Sequence, residues 1–197
     1  MQFTNIILTL FFASSLSSAL PVTKTKRSAN TVLSDIASIS SDVATLTSDA
    51  VAYTGGLFQS LALAITVDSL ESAITTATSD TTSSGTFSST DSDSILAAVT
   101  TLTPNIITLL SDLDAKVSFC EELLHCSPKN ADSFHKASTI SSAGYTSTVA
   151  GALKTLTTDT NALFAALEAA LDAADSASIS SLQASVDAAF ATASAAF

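Results

Sequence analysis

TVLSDIASISSDVATLTSDAVAYT, residues 31–54, decides the fold. Val32, Ile36, Ile39, Val43, Leu46, Ala50 and Tyr53 recur alternately three and four residues apart. That step lays apolar side chains along one stripe of an α-helix, the pattern that closes helices around a shared seam. The run predicts a helix from Thr31 to Thr54 that stops at Gly55-Gly56, the residue type that ends helices.

Four further segments repeat the pattern. The second, from Leu57 to Ala77, carries Leu63, Val67, Leu70 and Ile74 on one stripe. Leu57, Phe58, Leu61 and Ile65 make its first turns apolar on other faces as well. Such a segment is either buried among several helices or presented to an apolar partner, and burial is the favoured expectation. The third helix carries Ile95, Val99, Leu102, Ile106, Leu109, Leu110, Leu113 and Val117. Pro104 lies inside it and is expected to kink it, because a carbonyl one turn earlier loses its donor. The fourth starts near Thr146, with Val149, Leu153, Leu156, Leu163, Leu167 and Leu171 as its seam. The fifth follows Asp175-Ser176 and carries Ile179, Leu182, Val186, Ala189, Phe190, Ala193 and Phe197. No stretch alternates with the two-residue period of a strand. The expected fold is all-α: a single-domain bundle of about five amphipathic helices.

Two stretches break the pattern. Residues 75–94 are Ser or Thr at 14 of 20 positions and read as a mobile, mannosylated loop whose closing Asp91-Ser-Asp-Ser94 caps the third helix. Residues 124–145 read as an irregular insert.

The N-terminus sets the expected compartment. Ile6 to Leu16 is apolar but too short to span a bilayer, and Ser17-Ser18-Ala19 supplies small residues for signal peptidase. Residues 1–19 therefore read as a secretory signal cut after Ala19. Residues 20–27 end in Lys26-Arg27, either a propeptide cut after Arg27 or an exposed basic arm. The bundle domain then occupies residues 28–197.

Charge narrows the partners. The net charge is −11, and loss of Lys24, Lys26 and Arg27 takes the remainder to −14. A chain so acidic cannot neutralise phosphates, so no nucleic acid is expected. Lipid contact must run through acyl chains rather than anionic headgroups. Only 13% of residues are charged, so the polar faces are built from Ser, Thr and Ala. Hydroxyl faces of this kind suit O-glycosylation.

Reactive groups are scarce. Cys120 and Cys126 are the only cysteines. On an unbroken helix six residues separate them by about 9 Å along the axis, too far for a disulfide. A bond between them requires the helix to end first; two free thiols are the alternative. A metal site with His125 and His135 is a third reading, but its spacing matches no common zinc module. Asp91 with Asp93 and Asp112 with Asp114 are two residues apart, read as caps and solvated charge rather than catalytic pairs. No Gly-x-Ser-x-Gly or phosphate-cradling loop occurs. The chain is expected to be a binding protein rather than an enzyme, without a cofactor or resident metal.

The order of these features resembles the fungal hydrophobic surface binding protein A family, also called the antigenic cell wall galactomannoproteins. The matching residues are the signal, the first heptad helix ending in Tyr53-Thr-Gly-Gly56, and the Ser/Thr tract before Ile95. They continue through Leu102-Thr-Pro-Asn-Ile106, Leu110, Leu113 and Lys116-Val-Ser-Phe119, and close with Asp187 to Phe197. The chain departs from the family between Cys120 and Gly144, where relatives turn more directly into the next helix.

The resemblance implies a secreted, O-mannosylated helical protein of the fungal cell surface or wall. Some relatives adsorb to hydrophobic surfaces and help recruit polymer-degrading hydrolases; others enclose fatty acids between their helices. Two functions compete. One is binding of fatty acids or hydrophobic surfaces, with a secreted hydrolase and wall polysaccharide as further partners. The other is a structural or antigenic wall glycoprotein without a specific ligand. For the first, the expected lining is Leu61, Ile65, Ile106, Leu110, Leu153, Leu167 and Phe190, seam residues near mid-helix.

Overall fold

The computed structural model describes residues 28–54, 57–118 and 146–197. They form five helices: α1 (Ala29–Ala52), α2 (Leu57–Ser84), α3 (Ser89–Ser118), α4 (Thr146–Ala170) and α5 (Ala173–Ala195). The signal, the Lys26-Arg27 cut, Cys120, Cys126, both histidines and Gly55-Gly56 lie outside the described residues.

Local chemistry sets the ends. Ser28 caps α1, its Oγ accepting the Thr31 N–H at 3.3 Å. Asp172 caps α5 by accepting from Ala174 and Asp175 at 3.1 Å each. Between α1 and α2, the Gln59 side chain accepts the Thr54 N–H at 3.1 Å and donates to the Ala52 carbonyl at 3.4 Å, which stitches the turn.

The expected loop at 75–94 is corrected here. Helix α2 runs on to Ser84, and α3 already begins at Ser89. The buried step continues through the hydroxyl tract as Leu70, Ile74, Ala77, Thr81 and Ser84, with small polar residues in apolar places. Several hydroxyls of the tract bond back within the helix, although the Thr81 hydroxyl is buried without a partner among the described residues. Thr78 donates to the Ile74 carbonyl at 2.8 Å, Thr82 to Thr78 at 2.7 Å and Ser84 to Asp80 at 2.7 Å. Gly85, at φ 68°, then ends α2 in the left-handed region where a side chain would be strained. Ser88, rather than the Asp91–Ser94 run, caps α3. Its Oγ accepts the Asp91 N–H at 3.3 Å and donates to the Asp91 carboxylate at 2.8 Å.

The same back-bonding recurs on every helix, for example Thr45 to Ser41, Thr100 to Leu96, Thr158 to Lys154 and Thr192 to Ala188. It explains how helices with so few charges keep hydroxyl-covered outer faces. Helix α3 runs unbroken through Pro104, which sits on its exposed side.

The helices close into a ring. Helix α1 packs against α2 and α3, α3 against α5, α5 against α4, and α4 back against α2. At an interaxial spacing near 9 Å, five helices in a ring stand roughly 8 Å from its centre, against roughly 6 Å for four. Side chains of ordinary length fill the smaller ring; the larger one needs bulky residues throughout or stays hollow.

Both outcomes occur. At one end, where α1 and α5 begin, Val32, Ile95, Leu167 and Ile179 are almost wholly buried and fill the axis. Two bonds tie this end together: the Phe87 N–H donates to the Ala170 carbonyl at 2.9 Å, and the Asp172 N–H to Ser92 Oγ at 3.2 Å. The other end is not filled.

Candidate functional site: an apolar cavity with a lateral slot

A cavity of about 580 Å³ occupies the half of the ring where α1, α3 and α5 end and α2 and α4 begin. Helix α1 contributes Ile39, Val43 and Leu46, with Tyr53 beyond its end. Helix α3 supplies Ile106, Leu109, Leu110 and Leu113, and α5 supplies Phe190. These residues are the seam itself, turned onto empty space instead of onto a partner.

The opening lies between α2 and α4, which run parallel. Leu61, Ala64, Asp68 and Glu71 follow one another at helical spacing along one edge. Thr148, Ala152 and Thr155 do so along the other. Leu61, Ala64, Asp68, Thr148 and Thr155 are exposed as well as lining, so the slot reaches solvent. Its end near Leu61 is apolar. Its deeper end holds Asp68, Glu71, Thr155 and Thr160, the last of these buried.

Glu71 sits above the usual carboxylate range. Burial is the largest cause, followed by the negative charges of Asp159 on α4 and Asp68 on its own helix. No Lys, Arg or His among the described residues lines the cavity. Among the described residues no group of three or more His, Cys, Asp or Glu side chains could hold a metal ion.

The structure brings Leu61, Ile106, Leu110, Leu153 and Phe190 onto the cavity wall. It does not bring Ile65 or Leu167 there. Ile65 faces outward at 61% exposure. Leu167 is 1% exposed, but in the filled half, because it lies near the end of its helix, about two turns beyond Thr160, the last residue of α4 on the wall. Mid-helix position was the wrong guide: the cavity is set by which helix ends converge, a relation between chains of contacts rather than a property of one helix. Leu109, Leu113, Val67 and Glu71 were missed for the same reason. Their signal lies in the up-and-down order of the helices, which brings the starts of α2 and α4 to the same end of the ring as the end of α3.

The apolar start of α2 is likewise corrected from the burial expected. Phe58 is 86% exposed and Leu61 56%, with Ile65 a turn further on. Spaced three and four apart, they form an outward stripe that runs along the slot. Val51, near the end of α1, is also exposed.

Comparison with known proteins places this geometry. The family model described as hydrophobic surface binding protein A matches residues 29–169. Among solved structures, AfMP4p in complex with palmitic acid is 34% identical, with a TM-score of 0.74 over 86% of this chain and 99% of that one. Ligand binding domain 1 of the Penicillium marneffei MP1 protein, complexed with arachidonic acids, is 16% identical. It has a TM-score of 0.70 over 86% of this chain and 98% of its own. Ligand binding domain 2 of the same protein, complexed with multiple arachidonic acids, gives 16% and 0.71 over 87% and 97%. At that identity these two domains show a shared fold. No curated protein matches the sequence.

Proposed function

Since the chain belongs to the hydrophobic surface binding protein A family, we propose that it binds lipids in its axial cavity and apolar surfaces through the stripe beside the slot. The observation that carries this reading is the cavity. Its size falls within the range of about 300–1,000 Å³ that small-molecule sites occupy. All five helices wall it with aliphatic and aromatic side chains. A purely apolar engineered void of about 150 Å³ already takes up benzene. An acyl chain gains about 0.8 kcal/mol per buried methylene, so about a dozen methylenes supply roughly 10 kcal/mol. After the cost of immobilising a flexible ligand, micromolar binding remains within reach.

The palmitic acid held by AfMP4p supports an acyl ligand for this chain too. The same comparison, with the apolar N-terminal run and the small residues ending at Ala19, supports an extracellular or cell-surface location. Binding without catalysis is supported by the family and by a wall that, among the described residues, offers only apolar groups, hydroxyls and two carboxylates. A secreted hydrolase and wall polysaccharide are the further partners this reading allows.

The test is native mass spectrometry of the protein taken from culture medium, with displacement of a fluorescent lipid probe from delipidated material. Co-purified lipid and saturable displacement are expected. Ala152→Phe, which places a ring across the slot, should weaken displacement about tenfold or more while the helical spectrum is kept. A protein that carries no lipid and releases no probe would overturn the reading.

A further inference from the structure

Among the described residues, the charged groups of the cavity wall have one sign. Asp68 and Glu71 lie one turn apart on the α2 edge of the slot, and Asp159 of α4 presses its charge on Glu71 from the other side. On the α1 flank of α2, off the cavity wall, the carboxylates of Asp49 and Asp42 take the Thr66 and Ser69 hydroxyls, both at 3.1 Å. The described cation of α4, Lys154, is exposed and off the wall. Among the described residues, the other polar groups of the lining are the Tyr53 phenol and the hydroxyls of Thr148, Thr155 and Thr160. Hydroxyls can donate to and accept from a neutral head.

We propose that this cavity selects lipids with an uncharged polar end, such as a long-chain alcohol, an ester or an undissociated fatty acid, and disfavours an ionised carboxylate. The proposal rests on the reading of the cavity as a lipid site and names the chemistry it accepts. A carboxylate drawn into the slot loses hydration without meeting a cation among the described residues, and it meets the like charges of Asp68 and Glu71, only partly screened by water. An alcohol or ester loses far less hydration and meets no repulsion. A free fatty acid can enter by taking up its own proton, and burial with the charges of Asp159 and Asp68 pushes the Glu71 carboxyl in the same direction. Binding of fatty acid should therefore strengthen as pH falls toward the ordinary carboxyl range, about 4.3, while binding of the alcohol should hardly move.

The experiment is displacement of an uncharged fluorescent probe from the full secreted protein by hexadecanol and by palmitic acid, at pH 8 and pH 5. At pH 8 hexadecanol should displace at a concentration about tenfold lower than palmitate, and the ratio should shrink at pH 5. Asp68→Asn with Glu71→Gln should narrow the ratio at pH 8. Asp159→Asn, which changes a charge off the wall, should narrow it in the same direction and serves if the double variant does not fold. Palmitate equal to or tighter than hexadecanol at pH 8, or a ratio that no charge variant moves, would overturn the proposal while leaving a lipid site in place. Failure of both lipids to displace the probe would overturn the lipid reading itself.

Discussion

The backbone N–H of Asp172 donates to the hydroxyl of Ser92 at 3.2 Å, eighty residues away in the chain. Asp172 is also the cap of α5, and Ser92 sits fully buried in the first turn of α3. One hydroxyl thus fixes the α4–α5 turn against the start of α3. Removing it with Ser92→Ala leaves a part-buried amide without a partner, which costs about 1–3 kcal/mol. At roughly 2–4 °C per kcal/mol for a chain of this size, thermal melts should fall by several degrees. Lipid displacement should be unaffected, since the lesion lies in the filled half.

Leu167 and Leu110 are both almost fully buried, but only Leu110 borders the void. Leu167→Ala should cost about 2–5 kcal/mol, the range for a truncated leucine in a packed core. Leu110→Ala should cost less, because its side chain already lacks neighbours on one side and forfeits fewer contacts. Chemical denaturation of the two variants checks the order. Probe affinity should change for Leu110→Ala and stay constant for Leu167→Ala.

Phe58→Ser with Ile65→Ser removes two of the three members of the outward stripe without touching the cavity wall. Exposed positions of this kind shift stability by only about 0.5 kcal/mol each. Adsorption to polystyrene or wax beads should drop severalfold while probe displacement persists. Equal adsorption by the variant would show that another face makes contact.

Two carboxyls make stability depend on pH with a known sign. Glu71 and Asp175 are both raised. For Asp175 burial is again the first cause, ahead of the charges of Asp172 and Asp93. A raised carboxyl takes up its proton more readily folded than unfolded, so stability grows as pH falls from the folded value toward the unfolded one. Melts should rise between pH 7 and pH 5, and Glu71→Gln should melt higher at pH 7 with a shallower rise below it. A melting point that drops steadily from pH 7 to pH 5 would contradict this.

Much of the architecture was legible. The stripes of α1, α3, α4 and α5 were legible in the sequence: their described residues are buried or, as with Ile106, Leu113, Val149 and Leu182, partly buried, because a three-and-four step has one physical reading. The hydroxyl tract was not legible. Thr81 and Ser84 occupy core positions that composition assigns to a loop; Ser84 offsets its burial by donating to the Asp80 carbonyl one turn back. The cavity was half legible. Leu61, Ile106, Leu110, Leu153 and Phe190 were identified as seam, but whether a seam closes or stands open depends on five helices forming a ring, which no single stripe reveals. The exposure of Phe58 and Ile65 was hidden for a similar reason: α2 carries more apolar surface than its two neighbours can cover.

The division of the ring into a filled half and an open half has an evolutionary consequence. The anchoring contacts at Ser92, Leu167 and Ile179 lie away from the slot, so residues such as Leu61, Ala152 and Leu113 can drift in bulk without threatening the fold. Descendants of one ancestral scaffold are thereby free to diversify their cargo, each by a handful of changes at the rim.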